Sequence, residues 1–150
     1  MENFTTNDTN SSDHCKWSDA HEQETKTSIL FKDECYKIYG CIYAVNKNLG
    51  AGFLEAVYQE ALAIEFKREK IPFTPQQELE IRYEGIPLTA KYIADFVCYN
   101  KLLIEIKSVS KINNQHKAQL MNYLAATGFK LGLLVNFNSF PKAQIIRIVR

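Results

Sequence analysis

The chain has 150 residues, 46% hydrophobic and 23% charged, a balance that suits a single globular domain with a real core. No window approaches the roughly 18 apolar residues of a membrane span, and no basic stretch leads into an apolar one as in a secretory signal, so the expected location is the cytoplasm. The formal charge of +1 divides unevenly: two lysines against six carboxylates give residues 1–28 a net −4, which leaves +5 for the rest, compatible with a nucleic-acid partner without demanding one.

Residues 1–28 are rich in Asn, Thr, Ser, Asp and Glu and poor in aliphatics, so they are expected to be disordered. Trp17 is the one residue there suited to docking. His14, Cys15 and His21 would make a zinc site on paper, but three ligands in a polar tail are a weak signal. None of Cys15, Cys35, Cys41 and Cys98 forms a C-x-x-C pair, and they read as reduced, mostly buried small hydrophobes.

From about Ile29 the spacing of Cys35, Ile38, Ile42, Val45 and Leu49 predicts a helix, with Gly50 as a left-handed C-cap. A second helix is expected from about Phe53 to Lys70, closed off by Pro72 and Pro75. Glu78 to Tyr83 alternates as a strand, with Leu79, Ile81 and Tyr83 on one side, and Glu84-Gly85 is a turn of undefined type. Leu88 to Cys98 and Leu102 to Val109 are the next strands. A third helix runs from about Asn113 to Thr127, stopped by Gly128. Lys130 to Asn136 and Gln144 to Val149 finish the chain. The expected class is α/β, with about five strands in the order α-α-β-β-β-α-β-β.

The hairpin around residues 92–107 either carries the chemistry or is an oddly charged sheet face. Charged groups in a strand are costly unless paired or bound to a metal. Alternation puts Leu103, Glu105 and Lys107 on one face and Ile93, Asp95 and Val97 on one face of their own strand. The other faces, Tyr92, Ala94, Phe96 and Cys98, with Leu102, Ile104 and Ile106, are almost wholly apolar. A two-residue loop at Asn100-Lys101 would set Asp95 opposite Ile106 and separate the carboxylates. A three-residue loop, Tyr99-Asn100-Lys101, pairs Cys98 with Leu102 and sets Asp95 opposite Glu105, so a shared site requires the odd loop. Two neighbouring carboxylates raise each other's pKa, and a divalent cation removes that penalty; oxygen ligands favour Mg²⁺ or Mn²⁺. Lys107 is placed to orient a nucleophilic water or hold a phosphate oxygen. The plain alternative is a solvated sheet face with a cross-strand ion pair.

Glu55 reads either as a dipole-favoured residue in the first turn of the second helix or as a third carboxylate for the metal, with Tyr58 one turn on. His116, Gln119 and Tyr123 form one stripe of the third helix, suited to a nucleic-acid backbone or to support of the ligands, or simply to solvent. Leu120 and Leu124, with Met121 on the flank, supply that helix's packing face.

These segments together carry a resemblance. Gly52-Phe-Leu-Glu55-Ala-Val-Tyr58, Tyr92-Ile-Ala-Asp95, Ile104-Glu105-Ile106-Lys107, His116-Lys-Ala-Gln119-Leu-Met-Asn122-Tyr123-Leu124 and Gly132-Leu-Leu-Val-Asn136-Phe137 resemble, in order, the GxxExxY proteins. That family is placed in the PD-(D/E)XK nuclease-like superfamily, near the RecB-type exonucleases, and the likeness covers about residues 29–150. It implies a restriction-endonuclease-like core, a mixed sheet flanked by helices. It implies metal ligation by Glu55, Asp95 and Glu105, with Lys107 as the catalytic lysine and Gln119 and Tyr123 as the Q-x-x-x-Y element. Ala94 stands where the superfamily's name has proline. The resulting expectation is a Mg²⁺- or Mn²⁺-dependent nuclease acting on DNA rather than RNA. The Ile106 carbonyl is a further ligand, and Lys111, Lys117 and Lys91 are candidate phosphate contacts. The alternative is a catalytically silent module that binds nucleic acid or a protein. A homodimer through a sheet edge or the Tyr36/Tyr39/Tyr43 surface is compatible with either.

Overall fold

The computed structural model describes residues 28–150. The expectations for Trp17, Cys15 and the His14/Cys15/His21 group lie outside the described residues.

Helix α1 spans Lys32–Leu49 and α2 spans Glu55–Arg68; strands β1 (Phe73–Tyr83), β2 (Ile86–Cys98) and β3 (Leu102–Lys107) follow. Helix α3 (Asn114–Thr127) crosses over to β4 (Leu131–Asn136), and β5 (Gln144–Val149) ends the fold. The five strands lie in sequence order in one sheet. Only β3 and β4 are parallel; the other neighbours are antiparallel. This is the mixed α/β sheet of the restriction-endonuclease-like fold, in the element order that the sequence pattern predicts.

The sheet separates two apolar cores. On one side Ile38, Ile42 and Val45 of α1 and Leu62 and Phe66 of α2 pack on Phe96, Leu102, Ile104, Leu133 and Val135. On the other, Leu120 and Leu124 of α3 pack on Val97, Leu103, Leu134 and Ile148. Strand β4 is buried throughout, as expected of a central strand covered on both faces. Gly132 sets the height of α3 above it: a Cβ there would stand 2.9 Å from the Leu120 side chain. Cys35, Cys41 and Cys98 are free and buried.

Several boundaries shift. Strand β1 begins at Phe73 and contains Pro75, which does not close α2. As an edge strand, β1 tolerates a residue with no N–H. Gly50 has φ 69° but ψ −164°, so it caps α1 outside the left-handed helical region. Glu84 and Gly85, at φ 49° and 80°, form a two-residue loop with both centres at positive φ, the type I′ pattern. Strand β3 stops at Lys107 rather than Val109. Met121 is 51% exposed and adds nothing to the packing face of α3. Tyr36 is 80% exposed, and with Tyr43 it lines an open groove beside Gly40 instead of packing.

The face assignment of β2 also changes. Tyr92 and Ala94 share strand parity with Phe96 and Cys98, yet they pack on the α3 side while Phe96 and Cys98 pack on the α1/α2 side. Strand β1 does the same, with Phe73 on one side and Leu79 and Ile81 on the other. The β1–β2 register is unchanged across the switch, from Pro75–Phe96 to Gln77–Ala94, but the intervening Gln76–Asp95 pair is missing and Gln76 has φ 48°. The ribbon therefore twists at Gln76 and Asp95, and strict alternation fails there.

Candidate active site

The Tyr99-Asn100-Lys101 loop, with Tyr99 and Asn100 at φ 55° and 54°, pairs Cys98 with Leu102, Val97 with Leu103 and Phe96 with Ile104. This is the odd loop that a shared carboxylate site requires. One step further along this register, at Asp95, the backbone ladder ends. The Asp95 carboxylate instead accepts the Ile106 N–H at 2.7 Å, which holds it between the diverging strands. Two residues on, the Ser108 N–H donates to Glu55 at 3.2 Å and the Ser108 hydroxyl donates to the Phe53 carbonyl at 2.5 Å. Helix α2 thus delivers Glu55, in its first turn, to the end of β3.

Glu105 is tied to the α3 side. The Tyr92 hydroxyl donates to its carboxylate, and the Tyr92 ring stacks on Tyr123 with centroids 3.6 Å apart and planes 8° apart. Burial pushes the Glu105 carboxyl up to about 7; the Tyr92 bond opposes this, Asp95 adds to it and Lys107 draws it back. Burial likewise raises Asp95, against the Ile106 amide and with help from Glu55. The Tyr92 phenol is driven strongly upward by burial and by Glu105, so it remains a donor.

Lys107 lies two residues beyond Glu105 on the same face. With His116, Gln119, Asn122 and Tyr123 it lines a polar cavity of about 620 Å³. The α3 stripe therefore borders the end of β3, with His116 and Tyr123 half-buried and Gln119 exposed. Among the described residues Lys107 forms no ion pair. His116 also builds the start of α3: its Nδ1 accepts the Asn113 N–H while its own N–H donates to Asn113 Oδ1. Lys91, Lys111 and Lys117 are exposed and stand apart from the cavity lining.

Tyr58 is fully buried, stacked on Phe137 with centroids 4.4 Å apart. Its hydroxyl donates to the Gly50 carbonyl at 2.7 Å and accepts the Phe53 N–H at 3.2 Å. Buried in this way, it pins the loop that leads Glu55 into α2.

Among the described residues no group of three or more His, Cys, Asp or Glu side chains is gathered as a metal would need. The three carboxylates have separate partners, in the Ile106 amide, the Ser108 amide and the Tyr92 hydroxyl. Asp95 and Glu105 are nevertheless half-buried, electrostatically coupled and raised in pKa, with only Lys107 drawing both down. That is the condition a divalent cation relieves, and Mg²⁺ is commonly bound through only one or two carboxylates. The Ile106 carbonyl shares the strand edge of its N–H and so lies on the Asp95 side. The donor set fits a hard divalent ion.

The family model described as the PD-(D/E)XK nuclease superfamily matches residues 32–148. The chain belongs to that superfamily. Comparison with curated proteins and with solved structures gives no match. PD-(D/E)XK nucleases generally use divalent metal ions, and the fold points to nuclease activity and nucleic-acid binding. No helix among the described residues is long and apolar enough to cross a membrane.

Sequence reasoning missed several residues around this PD-(D/E)XK site. Tyr92 was expected on the apolar face, and its phenol three residues before Asp95 was the available signal. Asn136, 1% exposed, accepts the Val109 N–H at 3.1 Å and donates to the Val109 carbonyl at 2.8 Å, fastening the segment after Lys107 to β4. Ser108 had no signal beyond its place after Lys107.

Proposed function

We propose that this PD-(D/E)XK protein is a Mg²⁺- or Mn²⁺-dependent nuclease that hydrolyses DNA phosphodiester bonds. The observation that carries the reading is the pair of coupled half-buried carboxylates, Asp95 and Glu105, whose charge is offset by Lys107, which lines the α3 cavity and forms no ion pair among the described residues. Asp95, Glu105 and the Ile106 carbonyl would hold the ion, with Glu55 completing or supporting the set. When bound, the ion supplies positive charge at the scissile phosphate and a more acidic water.

Lys107 holds a phosphate oxygen or orients the attacking water, because its amine is free to donate from the same face as Glu105. Gln119 and Tyr123 line the path of the strand, with His116 at its end. Tyr123 acts partly through Tyr92, which keeps Glu105 on the α3 side. Lys111 lies beyond the cavity and would reach only the flanking backbone. The preference for DNA rests on the motif resemblance.

A second reading, a catalytically silent module that binds nucleic acid, draws on the separate partners of the three carboxylates. One experiment decides between them. Plasmid DNA, linear DNA and RNA are incubated with the protein and Mg²⁺, Mn²⁺ or EDTA, beside Asp95→Ala and Lys107→Ala. The expected result is metal-dependent DNA cleavage that falls at least a hundredfold in both variants. Cleavage that survives in both variants belongs to a contaminant, and binding without cleavage under any condition establishes the silent module.

A further inference from the structure

The ribbon's twist point is occupied by a residue that strand geometry disfavours. Gln76 has φ 48° within β1, a left-handed conformation that a non-glycine residue holds only when its surroundings impose it. Its amide nitrogen donates to Gln59 Oε1 at 2.7 Å and lies 3.4 Å from Asp95 Oδ1. Gln59 is one helical turn after Glu55, so a single face of α2 supplies both that carboxylate and the anchor for Gln76. The two oxygens of Asp95 are thereby divided: Oδ2 accepts the Ile106 N–H and Oδ1 faces the Gln76 amide.

Regular extended geometry at Gln76 would continue the ladder through the Gln76–Asp95 pair. The left-handed turn removes that pair, and the side chains beyond it switch faces. Asp95 is then released from ladder pairing at the position where its carboxylate is held by side chain and amide instead.

We propose that Gln76, anchored by Gln59, is a positioning residue that orients the Asp95 carboxylate for the divalent ion. This rests on the metal-site reading above. Its contacts are weak singly, but partners that orient a ligand commonly change metal affinity by ten- to a hundredfold.

The test exploits an opposition of sign. Gln76→Gly removes the amide and at the same time suits the backbone at φ 48°. Full-length wild type, Gln76→Gly, Gln59→Leu, Gln59→Glu and Asp95→Ala are titrated with Mn²⁺ alone by calorimetry, and each metal-free Tm is recorded. The expected result is Mn²⁺ affinity about tenfold weaker in Gln76→Gly with Tm equal to or above wild type. Gln59→Leu weakens binding and Gln59→Glu, which keeps the acceptor, retains it. Wild-type affinity in Gln76→Gly overturns the proposal, as does a loss of affinity accompanied by a lower Tm. If Gln76→Gly does not fold, the Gln59 pair decides on the same criteria. Abolished binding in Asp95→Ala with no effect of Gln76 or Gln59 leaves the metal site standing and removes only their role. A wild type that binds no Mn²⁺ removes both.

Discussion

Glu105 inverts the usual pH response of a carboxylate. A paired acid has its pKa lowered by folding and stabilises the fold as pH rises; Glu105 is buried and raised from the ordinary 4.5 to about 7. The folded state therefore holds the proton more tightly than the unfolded state. Glu105's contribution to stability is full below the unfolded pKa and is lost as pH climbs through the folded one. Without metal, and at about 1.4 kcal/mol per pH unit, this amounts to roughly 2 kcal/mol between about pH 5.5 and 8.5. Chemical denaturation across that range should show Glu105→Gln gaining on wild type by that order as pH rises. A gap between the two proteins that stays constant with pH would mean that Glu105 titrates normally. Asp95, raised in the same direction, is coupled to Glu105, so the difference between the two proteins reports the titration of the pair.

At the scale of elements, α3 is located by one close approach. Its stripe faces Lys107 because Leu120, on the neighbouring face, sits directly over Gly132 of β4. Gly132→Val inserts a branched side chain where even a Cβ meets Leu120 at 2.9 Å. Overpacking of this kind costs about 1–3 kcal/mol and moves the helix. Nucleic-acid binding should weaken beyond what the lost stability explains, because the stripe that lines the cavity moves with α3. Gel-shift titration at a temperature where the variant stays folded checks this, and unchanged affinity would separate the stripe from binding. The order of elements, the odd hairpin loop, the α3 stripe and the pairing of Gly128 with the end of α3 were all legible, because each depends on local spacing or a turn residue. The face switch at Gln76 was not. Alternation assumes one continuous pleat, and Pro75-Gln76-Gln77 reads as a breaker until the pairing of Pro75 with Phe96 and of Gln77 with Ala94 is known. The Tyr92 bond to Glu105 was hidden by the same assumption.

For the whole molecule, the positive charge is modest and scattered. Lys32, Lys37, Lys47, Lys67 and Arg68 belong to α1 and α2, across the sheet from the cavity, while among the described lysines and arginines Lys107 alone lines it. Around it stand amides, an imidazole and a phenol, groups that bond to phosphate and base edges without releasing counterions. Each neutralised phosphate contributes about −0.9 to the slope of log affinity against log salt on duplex DNA. If Lys107 and at most two of Lys91, Lys111 and Lys117 engage the backbone, the slope with Ca²⁺ in place of the catalytic ion should lie between about −1 and −3. A protein that wrapped DNA through a basic surface would give a far steeper value. Lys107→Ala should reduce the slope by about one unit, and Lys47→Ala should leave it unchanged. Fluorescence anisotropy over a range of salt concentrations measures all three. A steep wild-type slope that Lys107→Ala does not alter would place the nucleic acid on another surface of the molecule, away from the carboxylates at the end of β3.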